Sequence, residues 1–126
     1  MHRQKHILIV DDDARNRKLM ETLLHADGYT VQCVQLGAEA LASVAITTPD
    51  LILLDLMMPG MDGFEVVRRL KADDTSRNIP IVMVTALGDE SSRARLATAG
   101  VCDVLIKPIS RWDLKNCLDK ILGGTP

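Results

Sequence analysis

Hydrophobic positions in this chain fall into two kinds of run. Short, continuous apolar stretches recur at 7–10 (Ile-Leu-Ile-Val), 51–54 (Leu-Ile-Leu-Leu) and 81–84 (Ile-Val-Met-Val), each bounded by polar or turn residues. Such runs predict strands buried on both faces of a sheet. Weaker apolar segments at 29–34 and 103–107 predict two further strands. Between them lie stretches with helical spacing. Leu19, Met20, Leu23 and Leu24 make one stripe over 15–26, and Leu114, Cys117, Leu118 and Ile121 make another over 112–122. Helices are also predicted over 38–45, 64–72 and 91–99. Asp13 and Asp62 are placed as N-caps, and Gly28 as a left-handed stop.

Five strands thus alternate with five helices, which implies a parallel sheet covered on both sides. The expected fold is α/β: a doubly wound five-stranded parallel sheet of order 2-1-3-4-5, flanked by five helices, flavodoxin-like in layout. In such sheets ligands bind at the carboxyl ends of the strands. The strands here end in Asp11 and Asp12, Asp55, Thr85 and Lys107. If the strand order holds, these groups converge. Clustered carboxylates repel one another and call for a cation. A few hard oxygen ligands with positions left for water suit Mg²⁺, with Mn²⁺ as the alternative. A cation, a lysine and a hydroxyl together neutralise and position a phosphoryl group. A carboxylate can also be the nucleophile that accepts it.

Composition narrows the class. The chain has 126 residues, 47% of them hydrophobic and 25% charged, with a net charge of −2. One domain with one core is expected over 1–122, with 123–126 a tail or the start of a linker. The absence of a basic block argues against direct nucleic-acid binding by this domain. No apolar run approaches membrane-span length, and the first six residues do not form a signal peptide, so a cytoplasmic location is expected. Three cysteines without Cys-x-x-Cys spacing suggest neither a disulfide framework nor a zinc site; all three are expected to act as small core hydrophobes.

At this point the chain resembles the receiver domain of bacterial two-component response regulators, in the layout of the chemotaxis response regulator. The matching motifs are Ile-Val-Asp-Asp (9–12), Leu-Asp-x-x-Met-Pro-x-Met-Asp-Gly (54–63), Val-Thr-Ala (84–86) and Lys-Pro-Ile (107–109). The resemblance implies that Asp55 accepts a phosphoryl group from a histidine kinase or histidine phosphotransfer protein. It implies that Asp11, Asp12, Asp55 and the backbone carbonyl of Met57 hold Mg²⁺. Lys107 would pair with Asp55 and then with the acyl phosphate. The Thr85 hydroxyl and the Ala86 N–H would bind phosphoryl oxygens, and the Lys107–Pro108 bond would be cis. The implied protein catalyses only its own phosphotransfer and slow autodephosphorylation. It acts through a downstream protein partner, a fused effector domain or a phosphorylation-dependent dimer.

Two departures stand out. Many receivers carry Tyr or Phe three residues before the lysine, where this chain has Val104. Coupling to the output face is therefore expected to be altered, or carried by the loop 86–90. The helix-five positions that hold arginines in salt-bridged receiver dimers are Cys117 and Asp119 here.

An aspartate-nucleophile phosphohydrolase of similar fold is the alternative. It needs a second acid two residues after the nucleophile, and that position is Met57. A flavin binder needs a phosphate loop where Asp11, Asp12 and Asp13 would repel the phosphate. Other residues receive plainer readings. Met57, Met58 and Met61 are packing and loop residues, and His2, His6 and His25 are surface or terminal. Trp112, the single Trp, is expected to pack as a staple at a helix start, with a partner-binding anchor as the other reading.

Overall fold

The computed structural model describes residues 4–86 and 90–123. His2, most of the loop 86–90 and the tail after Gly123 lie outside them. The elements follow in strict alternation: β1 (His6–Val10), α1 (Ala14–Ala26), β2 (Thr30–Val34), α2 (Gly37–Ile46), β3 (Leu51–Asp55), α3 (Gly63–Ala72), β4 (Ile81–Thr85), α4 (Glu90–Ala99), β5 (Asp103–Ile106) and α5 (Arg111–Leu122). The sheet is parallel throughout, in the order β2-β1-β3-β4-β5. The expected fold class is the one observed, and each predicted element lies within one residue of its expected bounds.

Alternation along the strands sorts side chains between two cores. Ile7, Ile9, Leu51, Leu53, Val82, Val84 and Leu105 pack under α1 and α5, with Met20, Leu24, Leu114 and Leu118. Leu8, Val10, Ile52, Leu54, Ile81 and Met83 pack under α2, α3 and α4, with Val44, Val66, Leu70 and Leu96. Burying each such aliphatic side chain is worth roughly 1.5–3 kcal/mol. Both faces are apolar, so the ends of each strand, rather than its parity, mark where polar chemistry can begin.

The helix starts are built locally. The Asp13 side chain accepts the Arg15 N–H, Asp62 that of Glu65, and Ser110 that of Asp113. At α2 the Glu39 carboxylate accepts the N–H groups of Gln35 and Leu36 at 3.0 Å each. Gly28 has φ +90 and ends α1 as expected.

Three expectations change. Trp112 is not a staple: it lies in the first turn of α5 and is 71% exposed. Of the cysteines only Cys117 is a core residue; Cys33 is half-buried and Cys102 exposed. Gly63, read as part of a turn, is the first residue of α3. A Cβ there would lie 2.8 Å from Leu56 Cα and 2.9 Å from the Asp55 carbonyl oxygen. Glycine is required for that close approach, whereas Gly60, at φ +76, supplies the turn.

Candidate functional site at the carboxyl edge of the sheet

Register brings the site together. Val10 pairs with Leu54, so Asp11 and Asp55 follow as neighbours on adjacent strands. Asp55 pairs with Val84, and Thr85 with Ile106, which carries Lys107 to the same edge. The Asp11 N–H donates to the Val34 carbonyl at 3.2 Å and the Lys107 N–H to the Thr85 carbonyl at 2.8 Å, extending the sheet past its strands.

Asp11 is fully buried, Asp55 is 4% exposed and Thr85 1%. Asp12 is exposed. One carboxylate oxygen from each of Asp11, Asp12 and Asp55 lies within 4.8 Å of the others. Lys107 Nζ stands between the two buried acids, 3.3 Å from Asp55 Oδ1 and 3.5 Å from Asp11 Oδ2. The first contact is a hydrogen bond and the second a charge contact only; Asp11 Oδ2 is buried and accepts no hydrogen bond.

Two acids share one lysine, and the electrostatics follow. Burial first, and the Asp11 charge second, raise the Asp55 carboxyl to about 6, with Lys107 and the Met57 N–H opposing the rise. A buried carboxylate oxygen without a hydrogen bond is costly unless something positive meets it. The donor set of hard carboxylate oxygens, one of them lacking a hydrogen-bond partner, fits a divalent cation such as Mg²⁺.

The structure therefore gathers Asp11, Asp12, Asp55, Thr85 and Lys107 at one edge. Ala86 follows β4 directly and is exposed. The Met57 side chain is 63% exposed, and its N–H reaches Asp55 Oδ1 at 3.4 Å. The Lys107–Pro108 bond is cis. Asp13 turns away to cap α1, while its N–H donates to Asp11 Oδ1 at 2.8 Å.

Sequence reasoning missed two supporting residues. Arg17 Nη1 donates to the Asp11 carbonyl at 2.8 Å, holding the loop that carries the acids. Gly63 lets α3 close against the Asp55 backbone, and its N–H donates to the Leu56 carbonyl at 2.8 Å. Arg17 gave no signal, because an arginine in a first helical turn is ordinary. The Asp62-Gly63 pair was visible but reads equally well as a turn.

A doubly wound sheet with paired acids, a further acid, a hydroxyl and a lysine at its carboxyl edge defines a signalling receiver. The chain belongs to the response regulator receiver domain family, whose model matches residues 7–119. It is similar to the response regulator PleD of Caulobacter vibrioides, with 50% identity over 103 residues, covering 82% of this chain and 23% of that protein. It is 40% identical over 121 residues to the phosphate regulon transcriptional regulatory protein PhoB of Pseudomonas aeruginosa, covering 96% of this chain and 53% of that one.

Among solved structures, the receiver domain of the sensor histidine kinase PA1611 from Pseudomonas aeruginosa matches with a TM-score of 0.89 at 32% identity. That match covers 97% of this chain and 100% of the other, and a magnesium ion is coordinated in that protein's active-site cleft. The chemotaxis response regulator CheY4 of Vibrio cholerae matches with a TM-score of 0.89 at 28% identity, covering 94% and 99%. The chain spans between about a quarter and a half of the curated relatives it matches, 23% of PleD and 53% of PhoB. Among the described residues no helix is long and apolar enough to cross a membrane.

Proposed function

We propose that this receiver accepts a phosphoryl group on Asp55 from the phosphohistidine of a histidine kinase or histidine phosphotransfer protein. The observation that carries the reading is the position of Lys107 Nζ, 3.3 Å from Asp55 Oδ1 and 3.5 Å from Asp11 Oδ2. It is a fixed cation beside the acid that ends β3, the middle strand of the sheet.

In the proposed step an Asp55 carboxylate oxygen attacks phosphorus in line. A P–O bond forms as the P–N bond to the donor imidazole breaks. Lys107 turns from the carboxylate to the phosphoryl oxygens, and the Thr85 hydroxyl and the Ala86 N–H bind the remaining ones. Asp11, Asp12, Asp55 and the Met57 carbonyl are the groups that would hold Mg²⁺. When bound, Mg²⁺ neutralises carboxylate and phosphoryl charge. Water later cleaves the acyl phosphate and restores Asp55. On this reading the chain turns over only its own aspartyl phosphate. Residues 1–122 form the receiver, 123–126 begin a linker or tail, and the setting is the cytoplasm. The output goes to a protein partner, a fused effector domain or a second copy.

Incubation with Mg²⁺ and acetyl phosphate, followed by intact mass, tests this. Wild type should gain the mass of one phosphoryl group and Asp55→Asn none. An equal gain on Asp55→Asn, or none on wild type, would sink the reading. Sustained multiple-turnover phosphatase activity would favour the phosphohydrolase instead.

A further inference from the structure

We infer that Phe64 and Arg95 form the contact through which α4 senses the state of Asp55. The inference rests on the phosphoacceptor reading above. It addresses what replaces the missing ring at Val104.

The first observation concerns α4. Its sequence, Glu-Ser-Ser-Arg-Ala-Arg-Leu-Ala-Thr-Ala, has no apolar stripe. Among its described side chains only Leu96 is fully buried, and Ala99 is partly buried against the same core. A helix polar on most of its surface draws little stability from burial, and such elements open first. One contact ties α4 directly to α3. The Arg95 guanidinium carbon lies 4.0 Å from the centroid of the Phe64 ring. Phe64 is the single phenylalanine of the chain.

The second observation concerns the other end of that contact. Phe64 directly follows Gly63, which is bonded to the Leu56 carbonyl at 2.8 Å. Gly63 is packed so closely on the backbone of Asp55 and Leu56 that even a methyl group would collide. The path is therefore short and stiff: the Asp55 backbone, Gly63, Phe64, then Arg95 on α4. Val104 is half-buried in the core beneath α4 and offers no ring there. Spatial continuity alone does not establish coupling. What singles out this contact is that it joins the rigid turn after Asp55 to a helix with little burial of its own. A shift of the β3–α3 turn when Asp55 is loaded moves the Phe64 ring under Arg95, and the pose of α4 follows.

Hydrogen exchange read by mass spectrometry on residues 90–99 tests the contact, using wild type, Phe64→Leu, Arg95→Ala and the double variant. Each protein is measured alone and with Mg²⁺ and beryllofluoride. An exposed cation–π contact is worth about 0.5–1 kcal/mol, so each single variant should speed exchange of α4 by about two- to fivefold in the unloaded protein. The strands should not change, and the double variant should exceed neither single one. Beryllofluoride should alter α4 exchange in wild type and much less in the three variants. Unchanged exchange of α4 in both single variants, additive effects, or a full beryllofluoride response in the variants would each overturn the inference. Lack of protection at the Asp55 peptide in wild type would instead overturn the phosphoacceptor reading beneath it.

Discussion

Lys107 Nζ lies 3.3 Å from Asp55 Oδ1, yet the carboxyl of Asp55 is held up at about 6 rather than pulled down. Burial and the neighbouring Asp11 charge outweigh the lysine. The folded state therefore binds this proton more tightly than the unfolded chain, whose carboxyl titrates near 3.8. The site's contribution is fully present below about pH 4 and is lost as pH rises through about 6. Asp55→Asn escapes that loss. Its stability against denaturant should exceed that of wild type at neutral pH by roughly 1–3 kcal/mol, with the gap closing toward pH 4. Parallel urea melts across that range measure it; a gap that does not vary with pH would contradict the electrostatic account.

The same repulsion predicts a response to metal. MgCl₂ should raise the melting temperature of wild type. A concentration ten times the Kd stabilises by about 1.4 kcal/mol. Asp11→Asn and Asp12→Asn should each shrink the shift, although Asp11→Asn should itself melt higher without metal because it removes a buried charge. Equal Mg²⁺ shifts in all three proteins would exclude these acids as ligands.

Gly63 and Gly60 separate two roles of glycine. At Gly63 a Cβ meets Leu56 Cα at 2.8 Å, the Asp55 carbonyl oxygen at 2.9 Å and Met83 Sδ at 3.0 Å. Two of these are backbone atoms of a central strand end and cannot give way. Gly63→Ala should cost about 1–3 kcal/mol and lower the yield of phosphorylation, since Asp55 must move. At Gly60 a Cβ meets nothing within 4 Å, and only φ +76 opposes it. Gly60→Ala should cost about 1–2 kcal/mol and leave the yield near that of wild type. Stability curves and phosphorylation yields of the two variants provide the comparison.

The three thiols should label in a fixed sequence. Cys102 is exposed, Cys33 half-buried and Cys117 buried. Burial, with Asp103 beside it, pushes the Cys117 thiol up to about 12, and burial with the nearby Glu21 raises that of Cys33. The thiolate is the reactive form. A maleimide at pH 8 should modify Cys102 first, Cys33 more slowly and Cys117 only in denaturant, as peptide mapping over time will show. Rapid native labelling of Cys117 would mean that α5 opens readily.

Much of the site was legible before any contact was known. Asp11, Asp12, Asp55, Thr85 and Lys107 each sit where an apolar run stops, and a parallel sheet aligns such ends. The caps Asp13 and Asp62 were legible too, because a cap reaches only two or three residues along the chain. Trp112 was misread because its position on the helix gives no account of what lies opposite. Cys102 was misread because a small apolar residue beside a strand looks the same whether covered or bare.

The sequence by itself determined the elements, their alternation and the kind of chemistry at the strand ends, since periodicity and turn residues act over a few positions. Only the tertiary structure decided that Lys107 stands between two buried acids and that Asp11 Oδ2 has no hydrogen bond. It also decided that Gly63 presses on the Asp55 backbone and that Arg95 lies on the Phe64 ring. Each of these depends on distances between segments far apart in the chain. Those distances are fixed by how strands pair and helices settle on both faces, which no local pattern encodes.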